Sequence, residues 1–171
     1  MKIKYLFKIQ NIIDNEIRSI CQRDGEILDH KNLIKTQILA LEIKTGELAN
    51  LTKCYKYSGC KKHIDQRKLL IRYIDCFKFL FSIGNDNEFN VVNFNLKDIG
   101  KSDEQNLIDI FLQIFDQISS LKKELSADNY MPSLIIYMEI FKNFIVLGYL
   151  LGLTFEEVFE YYDNLYRDMV Q

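Results

Sequence analysis

Two short stretches of the chain each place a cation and an anion three residues apart. Lys44 precedes Glu47 at this spacing, and Arg72 precedes Asp75. In a helix, residues three apart share a face, so each pair would present its two charges together. Four such groups from two neighbouring helices could neutralise one another in a salt-bridge network. The cationic members could also hold a phosphate group, since ammonium and guanidinium groups both bind phosphate well.

The residues around these two pairs are mainly apolar. Ala40 and Leu51 lie about one turn either side of the first pair, and the segment 69–83 around the second pair is nearly all apolar. Charged groups on a largely buried face require partners. We therefore expect the four charges to meet inside the molecule, between the two helices that carry them. A purely structural salt-bridge network is the simplest interpretation of the spacing alone.

The apolar spacing is helical along nearly the whole chain and predicts an all-α bundle of about six helices. One proline and seven glycines also favour helices over a turn-rich β fold. The whole chain, residues 1–171, is expected to form a single domain. The predicted helices cover residues 6–24, 32–53, 65–83, 102–125, 131–152 and 154–171, with a long polar loop at 85–100. The first predicted helix carries one apolar stripe, made of Leu6, Ile9, Ile13, Ile17 and Ile20.

The overall composition limits the classes of partner. With 22 basic and 24 acidic residues the net charge is −2, which predicts neither nucleic acid nor an anionic membrane as a partner. Four cysteines without secretory features are expected to be reduced thiols in a cytoplasmic protein. The spacing of Cys54, Cys60 and His63 matches no common zinc module. The apolar stretch 134–153 carries charges near its centre and is expected to be a buried helix rather than a membrane span.

Four segments resemble a known family, the dimeric dUTPases. Residues 38–50 (ILALEIKTGELAN) and 52–57 (TKCYKY) are similar to the family signature LALxxELGELANETRxFKFW. Residues 73–84 (YIDCFKFLFSIG) resemble its EYVDGLHFLLSLG, and residues 6–14 (LFKIQNIID) resemble its opening LFxMQxxLD. The resemblance covers residues 4–84, and the rest of the chain matches only in its helical layout.

This resemblance implies a fold, an activity and a metal site. The fold is that of the all-α nucleoside triphosphate pyrophosphatases, related to the MazG-type enzymes, and the activity is cleavage of dUTP to dUMP and pyrophosphate by a homodimer. Magnesium is the implied cofactor, bound by an E-x-x-E pair on one helix and an E-x-x-D pair on another. Glu47 and Asp75 match the second member of each pair, whereas Lys44 and Arg72 stand at the first.

The two basic residues change the electrostatics of the implied site. Four carboxylates within about 5 Å of one another repel by roughly 3 kcal/mol per pair at an effective dielectric near 20, and metal ions relieve that repulsion. With Lys44 and Arg72 in place, the formal charge of the four groups is 0 instead of −4. We therefore expect that the protein has no bound magnesium, and that magnesium would be a cofactor only if the enzyme were active.

Other positions of the family pattern are partly kept. The resemblance suggests Gln10 and Asn50 as nucleoside contacts. It suggests Lys56 as a phosphate contact. Three further positions of the pattern are substituted, by Leu51, Ser58 and Lys78.

These observations leave three functional hypotheses. The first is a degenerate dUTPase-like protein that no longer performs magnesium-dependent hydrolysis and binds dUTP, another nucleotide or a protein. The second is an active pyrophosphatase with a reduced, one-metal site assembled from Glu42, Glu47, Asp75 and Glu139. The third is a structural helical homodimer without a ligand. We favour the first, because the two basic substitutions occupy equivalent positions of the two pairs.

Overall fold

The chain forms six α-helices and one short 3₁₀ helix in a computed structural model that describes residues 2–25, 29–57, 64–91 and 106–166. The all-α prediction is therefore confirmed. We number the helices α1 (Lys2–Arg23), α2 (His30–Thr52), α3 (Gln66–Asp86), α4 (Leu107–Ser126), α5 (Tyr130–Leu150) and α6 (Phe155–Tyr166), and the 3₁₀ helix is Phe89–Val91.

Side chains at the helix N-termini determine where several of these helices begin. Asp29 accepts a hydrogen bond from the first turn of α2, and Asp65 accepts two from the first turn of α3. A capping box lies at the start of α6. The Glu157 amide donates to Thr154 Oγ1 at 3.3 Å, and the Thr154 amide donates to Glu157 Oε2 at 2.6 Å.

α3 is the central helix, and it packs against α1, α2 and α5. Its residue Phe77 lies at the middle of an aromatic cluster, with ring centroids 5.1 to 6.0 Å from those of its neighbours. Those neighbours are Tyr73, Phe81, Phe141, Phe144 and Phe155. Mostly edge-to-face pairs of this kind stabilise a core by about 0.5–1.5 kcal/mol each beyond simple burial.

Two tyrosine–glycine contacts join α3 to α5 in opposite directions. The Tyr73 hydroxyl on α3 donates to a carbonyl oxygen of α5 at 2.7 Å, and the Tyr137 hydroxyl on α5 donates to a carbonyl oxygen of α3 at 2.9 Å. Each hydroxyl lies directly over a glycine of the facing helix, Gly148 under Tyr73 and Gly84 under Tyr137. A Cβ atom at either glycine would overlap the tyrosine, so these contacts fix how the two helices are aligned.

The predicted end of the third helix at Ile83 is wrong by three residues. α3 continues to Asp86, because Gly84 serves close packing against Tyr137 and does not end the helix. The predicted start of the fourth helix and most of the predicted loop, residues 102–105 and 92–100, lie outside the described part of the chain.

The apolar stripe of the first helix is buried only in its first half. Leu6 and Ile9 are buried, whereas Ile17 is 53% exposed and Ile20 is 46% exposed. α6 covers only the first half of α1, where the Tyr5 hydroxyl donates to a carboxylate of α6 at 2.9 Å.

Among the described helices, α5 is long and apolar enough to cross a membrane by length and composition. However, 56% of its most apolar window is buried inside the protein. Its Asn143 side chain donates to Gln117 of α4 at 2.8 Å, and its inner face packs in the aromatic cluster. These are the contacts of a core helix.

Candidate functional site

α2 and α3 run antiparallel and bring the four charged residues of the two spaced pairs together. Lys44 and Glu47 lie towards the end of α2, opposite Arg72 and Asp75 near the start of α3. The apolar faces of both helices enter the core. The charged faces therefore meet along one edge of the helix pair.

The charged side chains form a continuous series of ion pairs. Lys44 Nζ lies 3.0 Å from Glu47 Oε2, and Arg72 Nε lies 3.3 Å from the same oxygen. Arg72 Nη1 donates to Asp75 Oδ2 at 3.1 Å. Lys78, one turn further along α3, places its Nζ 3.3 Å from Asp75 Oδ1. We term these five residues the ion-pair chain.

The ion-pair chain lies along the partly exposed seam between α2 and α3, which we refer to as the groove, and not inside the bundle, so the expectation of buried charges is wrong. The exposed fractions of its side chains run from 16% for Asp75 to 43% for Arg72. Long lysine and arginine side chains can cover apolar surface with their stems while their charged ends reach water. Because the pairs are partly solvated, each contributes only about 0.2–1 kcal/mol to stability.

The groove has an excess of positive charge. The three cations and two carboxylates of the ion-pair chain sum to +1. Both carboxylates are engaged by two cations each. An ammonium has three donors and a guanidinium has five, so Lys44, Arg72 and Lys78 have more donors than these contacts use. The arrangement suits an anion with several oxygen atoms, such as a phosphate.

The donors in the groove do not fit magnesium, which prefers carboxylate oxygens and water. No three histidine, cysteine or acidic side chains come together as possible metal ligands in the described ranges. Glu42 and Glu139, considered above for a one-metal site, therefore do not complete a ligand set with Glu47 and Asp75. Glu139 instead lies 3.9 Å from Lys142 on its own helix.

The cysteines that the structure describes are free thiols, and none of them belongs to a group of possible metal ligands there. Cys76 is buried, and its thiol donates to the Arg72 carbonyl oxygen at 3.4 Å. Burial raises the pKa of this thiol well above its ordinary value, and the negative charge of Asp75 adds to the rise. The thiol therefore stays protonated and unreactive. Cys60 and His63 lie outside the described residues.

Gln10, a predicted nucleoside contact, is buried between α1 and α6. Its Nε2 donates to Asp14 Oδ1 at 2.8 Å, and its Oε1 accepts from the Tyr162 hydroxyl at 3.0 Å. Both ends of the amide thus have a partner within the protein. Its contact with a nucleoside stays a prediction.

The other two predicted nucleotide contacts lie near the end of α2. Asn50 is exposed, and its Oδ1 accepts from Lys53 Nζ at 2.9 Å and from the Tyr55 hydroxyl at 2.8 Å. Lys56 is exposed just beyond the helix. Asn50 lies one turn after Glu47 on α2, so its side chain is close to the groove along that helix.

The sequence analysis missed a second group of polar residues, around a cavity between α1, α2 and α3. This cavity has a volume of about 290 Å³ and we term it the interhelix cavity. At its edge, Asp86 accepts from Arg18 at 2.6 Å and from Gln37 at 2.6 Å. Its lining comes from three helices, so no spacing along one helix could reveal it.

Asp14 on α1 is the most perturbed acid at this cavity. Burial raises the pKa of its carboxyl group, and the nearby negative charge of Asp86 adds to the rise. Hydrogen bonds from Ser82 and Gln10 and the positive charge of Arg18 oppose it. An acid held in an environment that disfavours its charge is a candidate for a binding role.

The protein is an all-α bundle in which two antiparallel helices each carry a charged pair at a spacing of three. The resemblance to the all-α pyrophosphatases implies this arrangement. The sequence profile of the dUTPase family matches residues 2–166, nearly the whole chain. The chain belongs to this family, whose members are all-α. Comparisons with curated proteins and with solved structures found no match. Members of the family typically bind nucleotides, use magnesium and form oligomers.

Proposed function

We propose that this chain is a nucleotide-binding member of the dUTPase family that does not hydrolyse dUTP by the magnesium-dependent route. The ion-pair chain carries this proposal. Lys44 and Arg72 stand where the resemblance implies metal-binding carboxylates, and both are paired with Glu47, one of the two carboxylates that remain. The side chains themselves supply the positive charge that a metal would otherwise bring.

A phosphate group would bind in this groove without a metal. The unused donors of Lys44, Arg72 and Lys78 face a partly exposed site with a net charge of +1, and charge-assisted hydrogen bonds from such groups to phosphate oxygens are short and strong. A divalent cation entering the same groove would meet three positive charges. Anion binding and metal loss therefore have the same electrostatic cause.

The test combines turnover with metal-free binding. We expect no dUTP hydrolysis with magnesium or manganese, and we expect pyrophosphate to bind in the presence of a chelator, as measured by titration calorimetry. Replacing Lys44 and Arg72 by glutamine should weaken pyrophosphate binding at least tenfold, because each hydrogen bond from a charged group contributes about 1.5–3 kcal/mol. Lys142→Gln, which removes an exposed lysine from an equally spaced pair on α5, is the matched control.

Two results would contradict the proposal. Robust magnesium-dependent turnover would show that the protein is an active pyrophosphatase. Failure of both pyrophosphate and nucleotides to bind would favour the purely structural hypothesis.

A homodimer in the cytoplasm is the proposed assembly and location. Several large apolar side chains of α4 and α5 are exposed, which supports a partner surface on these helices. They include Ile108, Leu112, Met131 and Ile135. Light scattering of the purified protein tests the dimer, and a monomer at micromolar concentration would contradict it.

A further inference from the structure

A second cavity lies at the opposite end of α2 and α3 from the ion-pair chain, and we term it the turn cavity. It has a volume of about 250 Å³ and lies between the start of α2, the end of α3 and the turn that joins α4 to α5. His30 at its edge begins α2, whereas Lys44 lies roughly 20 Å further along that helix at about 1.5 Å per residue. The turn cavity is therefore separate from the groove, and its ligand does not depend on the function proposed above.

Ser133, in the first turn of α5, brings a buried hydroxyl without a partner to this cavity. The side chain lines the cavity and is 0% exposed, and its Oγ has no hydrogen-bond partner among the described residues. Native proteins pair nearly all of their buried polar atoms, so this unpaired hydroxyl requires an explanation. A polar group of a bound ligand would provide one.

The charge around the turn cavity determines the sign of that polar group. Asp86, Glu88 and Asp128 line the cavity with three carboxylates. Asp86 is paired with Arg18 at 2.6 Å, whereas Glu88 and Asp128 form no ion pair with any other described residue. Two negative charges at the cavity are therefore not neutralised. They favour a cation, and the Ser133 hydroxyl would accept a hydrogen bond from it.

The features that would favour an anion at this cavity are smaller. The start of α5 has no side-chain cap, and a free helix N-terminus attracts anions with the equivalent of about half a positive charge. A protonated His30 would add one more positive charge. The sum of about 1.5 stays below the two negative charges of the unpaired carboxylates.

The rest of the cavity wall is apolar and aromatic, which suits an organic cation better than a metal ion. Ile34 and Leu125 supply aliphatic surface. The Tyr130 ring is 46% exposed and lies 5.6 Å from the buried Phe89 ring between centroids, and an ammonium group over such a ring gains a cation–π attraction. Within the described ranges, no three acidic, histidine or cysteine side chains are close enough to hold a metal ion. The cavity volume is roughly that of eight water molecules at about 30 Å³ each, which matches a small aliphatic amine.

We infer that the turn cavity binds a small aliphatic diamine. One ammonium group would donate to Ser133 Oγ, and the second would reach the exposed carboxylates of Glu88 and Asp128. The methylene chain between the two ends would lie against Ile34 and Leu125. An ammonium group has three donors and no acceptor, so it matches a wall that offers a hydroxyl and carboxylates.

The first experiment titrates the protein with 1,4-diaminobutane in a calorimeter at low ionic strength, where exposed charges are least screened. We expect one diamine to bind per chain. Butylamine should bind more weakly because it lacks the second ammonium group, and 1,4-butanediol should not bind because it has no charge. If the diamine fails to bind, or if the diol binds as tightly, the inference is wrong.

The second experiment locates the diamine with variants of the cavity wall. Ser133→Ala should weaken binding at least about tenfold, because it removes a hydrogen bond from a charged group. Without the diamine this variant should not unfold at a lower temperature, since the hydroxyl has no partner among the described residues. Glu88→Gln combined with Asp128→Asn should weaken binding by about two- to thirtyfold, because two partly solvated ion pairs are lost.

Asp116→Asn is the matched control, because it removes one carboxylate at an exposed position in the middle of α4. It should leave the affinity for the diamine unchanged. Undiminished binding by Ser133→Ala would overturn the assignment of an ammonium group to this hydroxyl. An equal loss in Asp116→Asn and in the double variant would show that the diamine binds through overall charge and not in the turn cavity, which would also overturn the inference.

Discussion

Replacing Lys44 and Arg72 together by glutamate tests whether the ion-pair chain occupies a former metal site. The change removes three contacts, from Lys44 to Glu47 and from Arg72 to Glu47 and Asp75. Each partly exposed contact contributes about 0.2–1 kcal/mol. The five groups of the chain would go from a net charge of +1 to −3, and each new pair of like charges at about 5 Å repels by roughly 1 kcal/mol in a water-like environment. We expect the free energy of unfolding to fall by about 3–6 kcal/mol in total.

Magnesium should reverse much of this loss, because the variant would carry four carboxylates around one groove. At a magnesium concentration a hundred times the dissociation constant, binding would add about 2.7 kcal/mol of stability. For a protein of this size that raises the melting temperature by roughly 5–10 °C, which thermal unfolding with and without magnesium would measure. The control is the double glutamine variant, which loses the same contacts without adding carboxylates and should not respond to magnesium.

The refuting outcome is equally specific. If magnesium leaves the melting temperature of the double glutamate variant unchanged, positions 44 and 72 do not adjoin a metal site. Lys44 and Arg72 would then belong to an ordinary surface salt-bridge network.

Two further predictions concern stability. Because burial raises the pKa of Asp14, the native state binds the Asp14 proton more tightly than the unfolded chain does. The charged carboxylate therefore lowers the free energy of unfolding. This destabilisation is fully present above the raised pKa and absent below the ordinary aspartate value of about 4. Asp14→Asn should therefore raise the melting temperature at pH 7 and not at pH 3, whereas Asp116→Asn should do neither; equal effects at both pH values would contradict this. Gly148→Ala should lower the free energy of unfolding by about 2–4 kcal/mol in denaturant titrations, since its Cβ would lie 2.8 Å from Tyr73 Cζ and displace a buried hydrogen bond. Gly46→Ala, in an open position of α2, should instead stabilise by about 0.5–1 kcal/mol, and similar losses for both variants would refute the packing argument.

Local patterns predicted most of the helices and the two charged pairs. Apolar periodicity depends on one helix at a time, so it identifies a helix without knowledge of its neighbours. In the same way, a spacing of three residues places Lys44 beside Glu47 and Arg72 beside Asp75 whatever else the chain does. The contact from Arg72 to Glu47 was expected from the apolar surroundings of both pairs, because charges on a largely buried face require partners.

Features that depend on several helices at once could not be predicted. The interhelix cavity draws its lining from α1, α2 and α3. The exposure of the groove depends on where the edge of α2 and α3 meets solvent, and apolar composition alone suggested burial. A glycine at the end of an apolar run predicts a helix end, but Gly84 accommodates Tyr137. Tyr137 lies more than fifty residues away along the chain, so no local pattern could indicate this contact. Lys78 could have been added to the ion-pair chain, since it is three residues after Asp75.

The two tyrosine–glycine contacts bear on how easily the groove can be redesigned. They lock α3 onto α5 through its inner face, on the opposite side from Arg72, Asp75 and Lys78. The backbone beneath these three positions is therefore held by bonds that none of them makes. Substitutions at these three positions should therefore leave the backbone of α3 in place. New carboxylates, phosphate-binding groups or metal-chelating side chains could be introduced there to build other binding sites.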